Sequence, residues 1–138
     1  MPGFHDGIMD GHYIAEKCPL LESAFHEVLR LHITSNTVRY VEAETTFQGK
    51  ILEPGNPLMM PLLQLNHLPD IWGRDHNTFN PTRFLRNKGL ASHTAFRPFG
   101  GGPNLCPGKA FASRQVITYV AYLLYKFDAH LPELNGKP

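Results

Sequence analysis

The stretch Phe96-Arg97-Pro98-Phe99-Gly100-Gly101-Gly102-Pro103-Asn104-Leu105-Cys106-Pro107-Gly108 decides how this chain is read. It sets a lone cysteine between a glycine-rich turn and a strongly apolar segment. Glycines 100, 101 and 102 let the backbone take positive φ and come close to a flat cofactor. A helix opening near Pro107 or Gly108 would turn its free N–H groups and positive dipole end toward the sulfur. Both effects favour the thiolate, the form of cysteine that binds metal. The competing reading of Cys106 is a small buried hydrophobe, the usual fate of a free cysteine.

The residues around Cys106 weigh for the ligand reading. Phe99, Gly102, Cys106, Gly108 and Ala112 stand at fixed spacings in which Phe and Gly precede the cysteine and Gly and Ala follow it. The segment resembles the cysteine-ligand loop of the cytochrome P-450 superfamily, the haem-thiolate monooxygenases, and its Gly-Gly-Gly and Cys-Pro-Gly form is most like fungal members. Where the family pattern has arginine, this chain has Asn104. Two further motifs carry the resemblance. Glu27-Val28-Leu29-Arg30 is similar to the superfamily's Glu-x-x-Arg pair, and Phe79-Asn80-Pro81-Thr82-Arg83-Phe84 to its Pro-Glu-Arg-Phe segment, with Thr82 in place of glutamate.

Carried over residue by residue, the resemblance implies that Cys106 is the axial ligand of haem iron. It implies cofactor contacts from Phe99, Gly100, Gly102, Asn104, Gly108 and Arg39, where Arg39 and the position of Asn104 correspond to haem-propionate contacts. Glu27, Arg30 and Arg83 would form a buried structural triad supporting the cysteine loop. Ser35, Asn36 and Thr37, on the first strand after the Glu-x-x-Arg helix, would line the substrate pocket. No catalytic residue beyond the haem ligand is expected. The implied cofactor is haem b; the implied partners are a small hydrophobic organic substrate, O2 and an NADPH-dependent reductase or other electron donor. Arg97, Lys109 and Arg114 flank the loop as a candidate docking patch for that reductase. The implied location of the complete protein is the cytosolic face of the endoplasmic reticulum membrane, although this chain shows no anchor.

The chain has 138 residues and two cysteines, Cys18 and Cys106. That is too few for a disulfide framework and suits a reducing compartment. A net charge of +1 gives no footprint for nucleic acid. The histidines lack the His-x-x-x-His spacing of a zinc site, and no apolar run reaches the length of a membrane span. The expected fold is mainly α with a small β-sheet (α+β), the C-terminal portion of the cytochrome P-450 fold, with residues 1–138 as one partial domain. The helix carrying the oxygen-activating acid–alcohol pair and the final strands of complete relatives are expected outside it.

Residues 1–17 carry little pattern and read as a loop or frayed lead-in. Pro19 opens a helix to about Leu31. Its apolar residues Leu21, Ala24, Phe25, Val28 and Leu29 put Glu27 and Arg30 on the opposite face, so periodicity alone makes them a solvated ion pair. Only the downstream motifs argue for burial. Thr37 to Glu53 is β-branched and aromatic, with Gly49 and Pro54-Gly55 marking turns, and Pro57 to Leu65 reads as a strand interrupted at Pro61. His67 to Phe84 is a turn-rich meander around Trp72 and Phe79, in which His67 reads as a structural hydrogen-bonding residue. After Gly108, Phe111, Val116, Ile117, Val120, Leu124 and Phe127 recur at helical spacing to about Asp128, with Pro132 beyond. Cys18 reads as a buried apolar residue. Two other functions share the same loop: a reductase-independent isomerase or dehydratase of peroxides, and a non-catalytic truncated remnant.

Overall fold

The computed structural model describes residues 4, 5 and 8–130. They fall into two units, one reaching to Glu22 and resuming at Pro107, the other Ser23–Cys106. Elements follow in the order expected of an α+β chain: six helices and three separate two-stranded antiparallel ladders.

In the first unit, the short strands Phe4–His5 (β1) and Ile8–Met9 (β2) pair antiparallel. They lead into helix α1, Gly11–Lys17. This corrects the reading of residues 11–17 as loop. The reason is a local cap: the Asp10 side chain accepts the His12 N–H at 2.8 Å, satisfying one of the donors a helix start leaves open. Helix α1 packs on α6, Lys109–Lys126. Contact is close enough that a Cβ on Gly11 would lie 2.6 Å from Thr118 Oγ1, so only glycine fits there without a shift. Ile14 and Ile117 are buried, whereas Phe111, Val116, Leu124 and Phe127 of the apolar pattern remain exposed. Lys126 stands in the last turn of α6. Pro132, the expected stop, lies outside the described residues. Cys18 is exposed, not buried; its backbone accepts the Leu21 N–H at the start of the next helix.

That helix, α2, runs Pro19–His32, as Pro19 predicts. In the second unit its buried residues are Ser23, Glu27 and Arg30, while Val28 is exposed. The i, i+4, i+7 spacing makes these three one stripe. The face that turns inward is thus the polar one, opposite to what apolar periodicity alone indicates. Strand β3, Asn36–Tyr40, pairs antiparallel with β6, Pro57–Pro61, in the register Thr37 opposite Met60 and Arg39 opposite Leu58. Strands β4, Thr45–Phe47, and β5, Lys50–Leu52, form a hairpin across Gln48-Gly49, both at positive φ, which matches the twist of the flanking strands. The run expected to stay extended to Leu65 instead ends at Pro61, and Leu62–Leu65 is a helical turn, α3. Leu62 is buried there, its N–H bonded to the Ser35 carbonyl at 3.2 Å.

The meander contains two more single-turn helices, α4 (Pro69–Trp72) and α5 (Arg83–Arg86). Trp72, Phe84 and Phe96 form the apolar centre of this unit, with Leu29, Ile71, Leu90 and Ala91 against it. The Phe84 and Phe96 rings lie 4.9 Å apart, and Trp72 meets Phe96 edge-on at 6.0 Å, geometries that suit the aromatic quadrupole. Phe96 opens the cysteine segment, so the loop is tied at its start to the core beneath the polar stripe of α2.

Candidate functional site

Glu27 and Arg30 have no accessible surface, and Arg83 is 8 % exposed. The Glu27 carboxylate takes Arg30 Nη2 at 2.8 Å on Oε1 and Arg30 Nε at 2.9 Å on Oε2. Arg83 Nε approaches the same two oxygens at 3.0 and 3.2 Å, and the Asn80 N–H donates to Oε1 at 3.1 Å. The three residues singled out from the two distant motifs therefore meet at one carboxylate.

Each guanidinium also spends its remaining donors. Arg30 Nη1 donates to the carbonyls of Asn66 (2.6 Å) and His76 (2.7 Å), and its carbon stands 5.1 Å from the Trp72 ring centre. Arg83 donates to the Trp72 and Asp75 carbonyls and to the Asp75 carboxylate. A buried ion pair offsets its desolvation only when its other lone pairs and protons are satisfied, and here they largely are. Burial opposes ionisation of Glu27, but the hydrogen bonds from Arg30 and Arg83 prevail and hold its carboxyl below the usual range. Burial likewise opposes the Arg83 charge, and Glu27 with Asp75 raises it again. Asp75 is held below its ordinary value by hydrogen bonds from Asn80, then Arg83.

Thr82, standing where the motif has glutamate, does not touch this centre. Its N–H and hydroxyl both bond the Asn80 side-chain oxygen, at 3.1 and 2.9 Å, which fixes the turn that delivers Arg83. His67 Nδ1 lies 2.7 Å from Asn77 Oδ1, a hydrogen bond across the meander. Sequence reasoning missed Asp75, Asn80 and Ser23. Asn80 was quoted only as part of a motif, and Ser23, whose hydroxyl accepts the Leu85 N–H at 2.9 Å, carried no motif at all.

The cysteine loop leaves the core at Phe96 and closes on itself. Arg97 and Phe99 supply the carbonyls: Gly100 N–H bonds Arg97 O at 3.0 Å, and Cys106 N–H bonds Phe99 O at 2.9 Å. Between them Gly102–Asn104 makes one 3₁₀ turn. Gly100 (φ +77°) and Gly102 (φ +57°) occupy the left-handed region, whereas Gly101 is extended. Cys106 is a free, exposed thiol. Gly108, in the other unit, caps α6 through a 2.9 Å bond from Ala112 N–H to its carbonyl, at an ordinary negative φ. At Gly100 a Cβ would fall 2.5 Å from the Asn104 carbonyl oxygen. Gly100→Ala is therefore expected to cost about 1–3 kcal/mol through left-handed strain and a backbone clash. A thermal melt beside wild type checks it, and an unchanged melting temperature would show that the loop gives way freely.

Beside this loop is a cavity of about 520 Å³. Its wall joins Asn36, Thr37, Val38 and Arg39 of β3 to Met60, Leu62 and Leu65, and to Thr94, Arg97, Gly100, Gly101 and Asn104. Of the expected pocket residues, Asn36 and Thr37 line it and Ser35 does not. Of the expected cofactor contacts, Gly100, Asn104 and Arg39 line it; the half-buried Phe99, Gly102 and Cys106 itself do not. Arg39 is exposed and bonds the Val38 carbonyl at 2.8 Å. The size is that of a small-molecule site, and its wall mixes the apolar side chains of Val38, Met60, Leu62 and Leu65 with polar and cationic ones. Among the described residues, no group of three or more His, Cys, Asp and Glu could hold a metal ion.

The profile of the family described as Cytochrome P450 matches residues 14–138. The chain belongs to the cytochrome P450 family. It is 40% identical over 128 residues to cytochrome P450 monooxygenase poxD of Penicillium oxalicum, covering 88% of this chain and 26% of that protein. Cytochrome P450 monooxygenase calL of Penicillium decumbens is 36% identical over 125 residues, 83% of this chain and 23% of its own length. A plant relative, 7-deoxyloganic acid hydroxylase of Catharanthus roseus, is 38% identical over 109 residues, with 77% and 21% covered. The chain spans about a quarter of the length of the fungal relatives it matches. Among the described residues, no helix is long and apolar enough to cross a membrane.

Proposed function

We propose that this chain is the haem-ligating region of a haem-thiolate monooxygenase. The carrying observation is the exposed Cys106 thiol on a glycine-built loop, closed by its own N–H on Phe99 O, whose Gly100, Gly101 and Asn104 share the wall of a cavity with Arg39. The residues present fit haem b. A free sulfur would be available as the iron ligand, the glycines would allow close approach, and the cationic groups on the cavity wall would suit the propionates. When bound, the haem supplies the oxygen chemistry, and a thiolate ligand biases it toward O–O cleavage.

The protein's own residues hold, orient and exclude. Cys106 would bind the iron; Phe99, Gly100, Gly102 and Gly108 would shape the loop around it; Arg39 and Asn104 would face the propionates. Glu27, Arg30 and Arg83 act as structural residues, pinning the meander so that Phe96 and the loop leave the core in one direction. Asn36 and Thr37 would border a small hydrophobic organic substrate. The remaining partners are O2 and an NADPH-dependent reductase, on the cytosolic face of the endoplasmic reticulum membrane.

The test separates this reading from peroxide rearrangement. With reductase, NADPH and isotopically labelled O2, one labelled oxygen atom should enter the product for each NADPH consumed. Turnover of a hydroperoxide without reductant, and no label from O2, would sink the monooxygenase reading. Charge reversal at Lys109 and Arg114, both exposed on α6, should slow reduction and weaken its salt dependence. Unchanged reduction kinetics would remove these residues from the reductase surface.

A further inference from the structure

Arg97 flanks the cysteine loop in sequence, and its exposed side chain is also held by a contact of its own. Its Nε–H donates to the Thr94 carbonyl at 2.9 Å, which folds the guanidinium back over the loop. A Cβ on Gly101 would overlap Arg97 Nη1, so a side chain there would push the guanidinium aside. Gly101 is extended, so its lack of a side chain serves space and not backbone freedom. The guanidinium therefore occupies the place a side chain at 101 would take, on the wall of the same cavity as Arg39 and Asn104.

Two arginines then line one cavity, and no aspartate or glutamate lines it with them. Neither Arg39 nor Arg97 makes an ion pair among the described residues. Each bonds one backbone carbonyl and has further N–H donors left over. Both guanidinium groups are exposed on this wall, so an anionic group in the cavity would meet two cationic donors. Carboxylates suit the planar guanidinium fork best. Asn104, also on this wall, brings a neutral amide that can donate a hydrogen bond but carries no charge.

We infer that Arg97 is a carboxylate-binding residue of the haem site, supplying from beside Gly101 the positive charge that Asn104 lacks. The inference rests on the proposed function, since it takes haem as the anionic ligand. Arg97 would be a positioning residue, fixing the cofactor through its propionates and not through the iron.

The test compares binding of haem and of haem dimethyl ester, which lacks the two negative charges, to the full protein and its variants. Wild type should prefer haem. Arg97→Gln should reduce that preference about tenfold, the usual worth of one charge-assisted hydrogen bond, while the thiolate-type absorption spectrum stays. Arg97→Lys should keep part of it. Gly101→Ala, which displaces the guanidinium without removing it, should lower it in the same direction. Asn104→Arg placed in the Arg97→Gln background should restore it. An unchanged preference in Arg97→Gln, with haem still bound through sulfur, would overturn this inference and leave the proposed function standing. Failure of wild type to bind haem through sulfur would overturn both.

Discussion

Replacing Glu27 by glutamine should lower the stability of the Ser23–Cys106 unit by about 3–5 kcal/mol, enough to unfold a marginal domain. The substitution barely changes shape, so the loss is electrostatic. Two guanidinium groups, Arg30 with no accessible surface and Arg83 nearly as deep, would share the site without the carboxylate that both contact. Asp75 cannot substitute, because of the two guanidinium groups it pairs only with Arg83 and its side chain is half exposed. A neutral amide accepts on one atom only, so at least one Arg donor and the Asn80 N–H would compete for a single oxygen. Denaturant midpoints of the two proteins measure the effect. Equal midpoints would mean that the centre is not the structural support inferred here.

The same centre sets the response to acid. Glu27 ionises below its usual range in the folded state, so its stabilisation is present above the unfolded value of about 4.3. It is lost as pH falls through the depressed folded value. Wild type should therefore weaken below about pH 4, and the glutamine variant, having no proton to gain at this position, should show a shallower dependence there. Parallel acid curves would assign the acid sensitivity to other carboxylates.

Why the centre was readable at all is instructive, because hydrophobic periodicity pointed the wrong way. On α2 the apolar residues mark a stripe that includes the exposed Val28, while the buried stripe is Ser23, Glu27 and Arg30. A polar face turns inward only if its partners arrive from elsewhere, and these come from far along the chain at Asn66, His76, Asn80, Arg83 and Leu85. Local pattern cannot encode such partners; the spaced motifs could. The misses were local in the opposite sense. Asp10 before Gly11 is a helix-capping residue, a signal that the reading of residues 1–17 as patternless did not use. Gly11 is tolerated in that helix because Thr118 packs where its side chain would be. Pro61 marked the end of β6, but nothing in Leu62–Leu65 distinguished strand from one turn of helix until Leu62 was seen to be buried. Cys18 read as buried from its residue type alone, and it is exposed.

That exposure bears on the second large effect. Cys106→Ser should abolish the thiolate-type haem spectrum and reduce turnover to background, while leaving the fold intact. The fold is expected to tolerate it because the residue is exposed, and its one structural bond, the N–H to Phe99 O, belongs to the backbone and survives the change. A surface substitution of this kind shifts stability by no more than about 0.5 kcal/mol. The chemistry does not tolerate it. A serine hydroxyl stays protonated near neutral pH and offers iron a hard, neutral oxygen, so the electron donation that a thiolate provides is lost. Cys18, the other free cysteine, is the control: Cys18→Ser should leave spectrum and turnover unchanged. Absorption spectra of the ferric and carbon-monoxide-bound ferrous forms report the ligand directly, beside a melting curve that certifies folding. Persistence of the thiolate signature in Cys106→Ser, with its loss in Cys18→Ser, would move the iron ligand to the other cysteine and take the Gly100–Gly102 loop out of the cofactor site altogether.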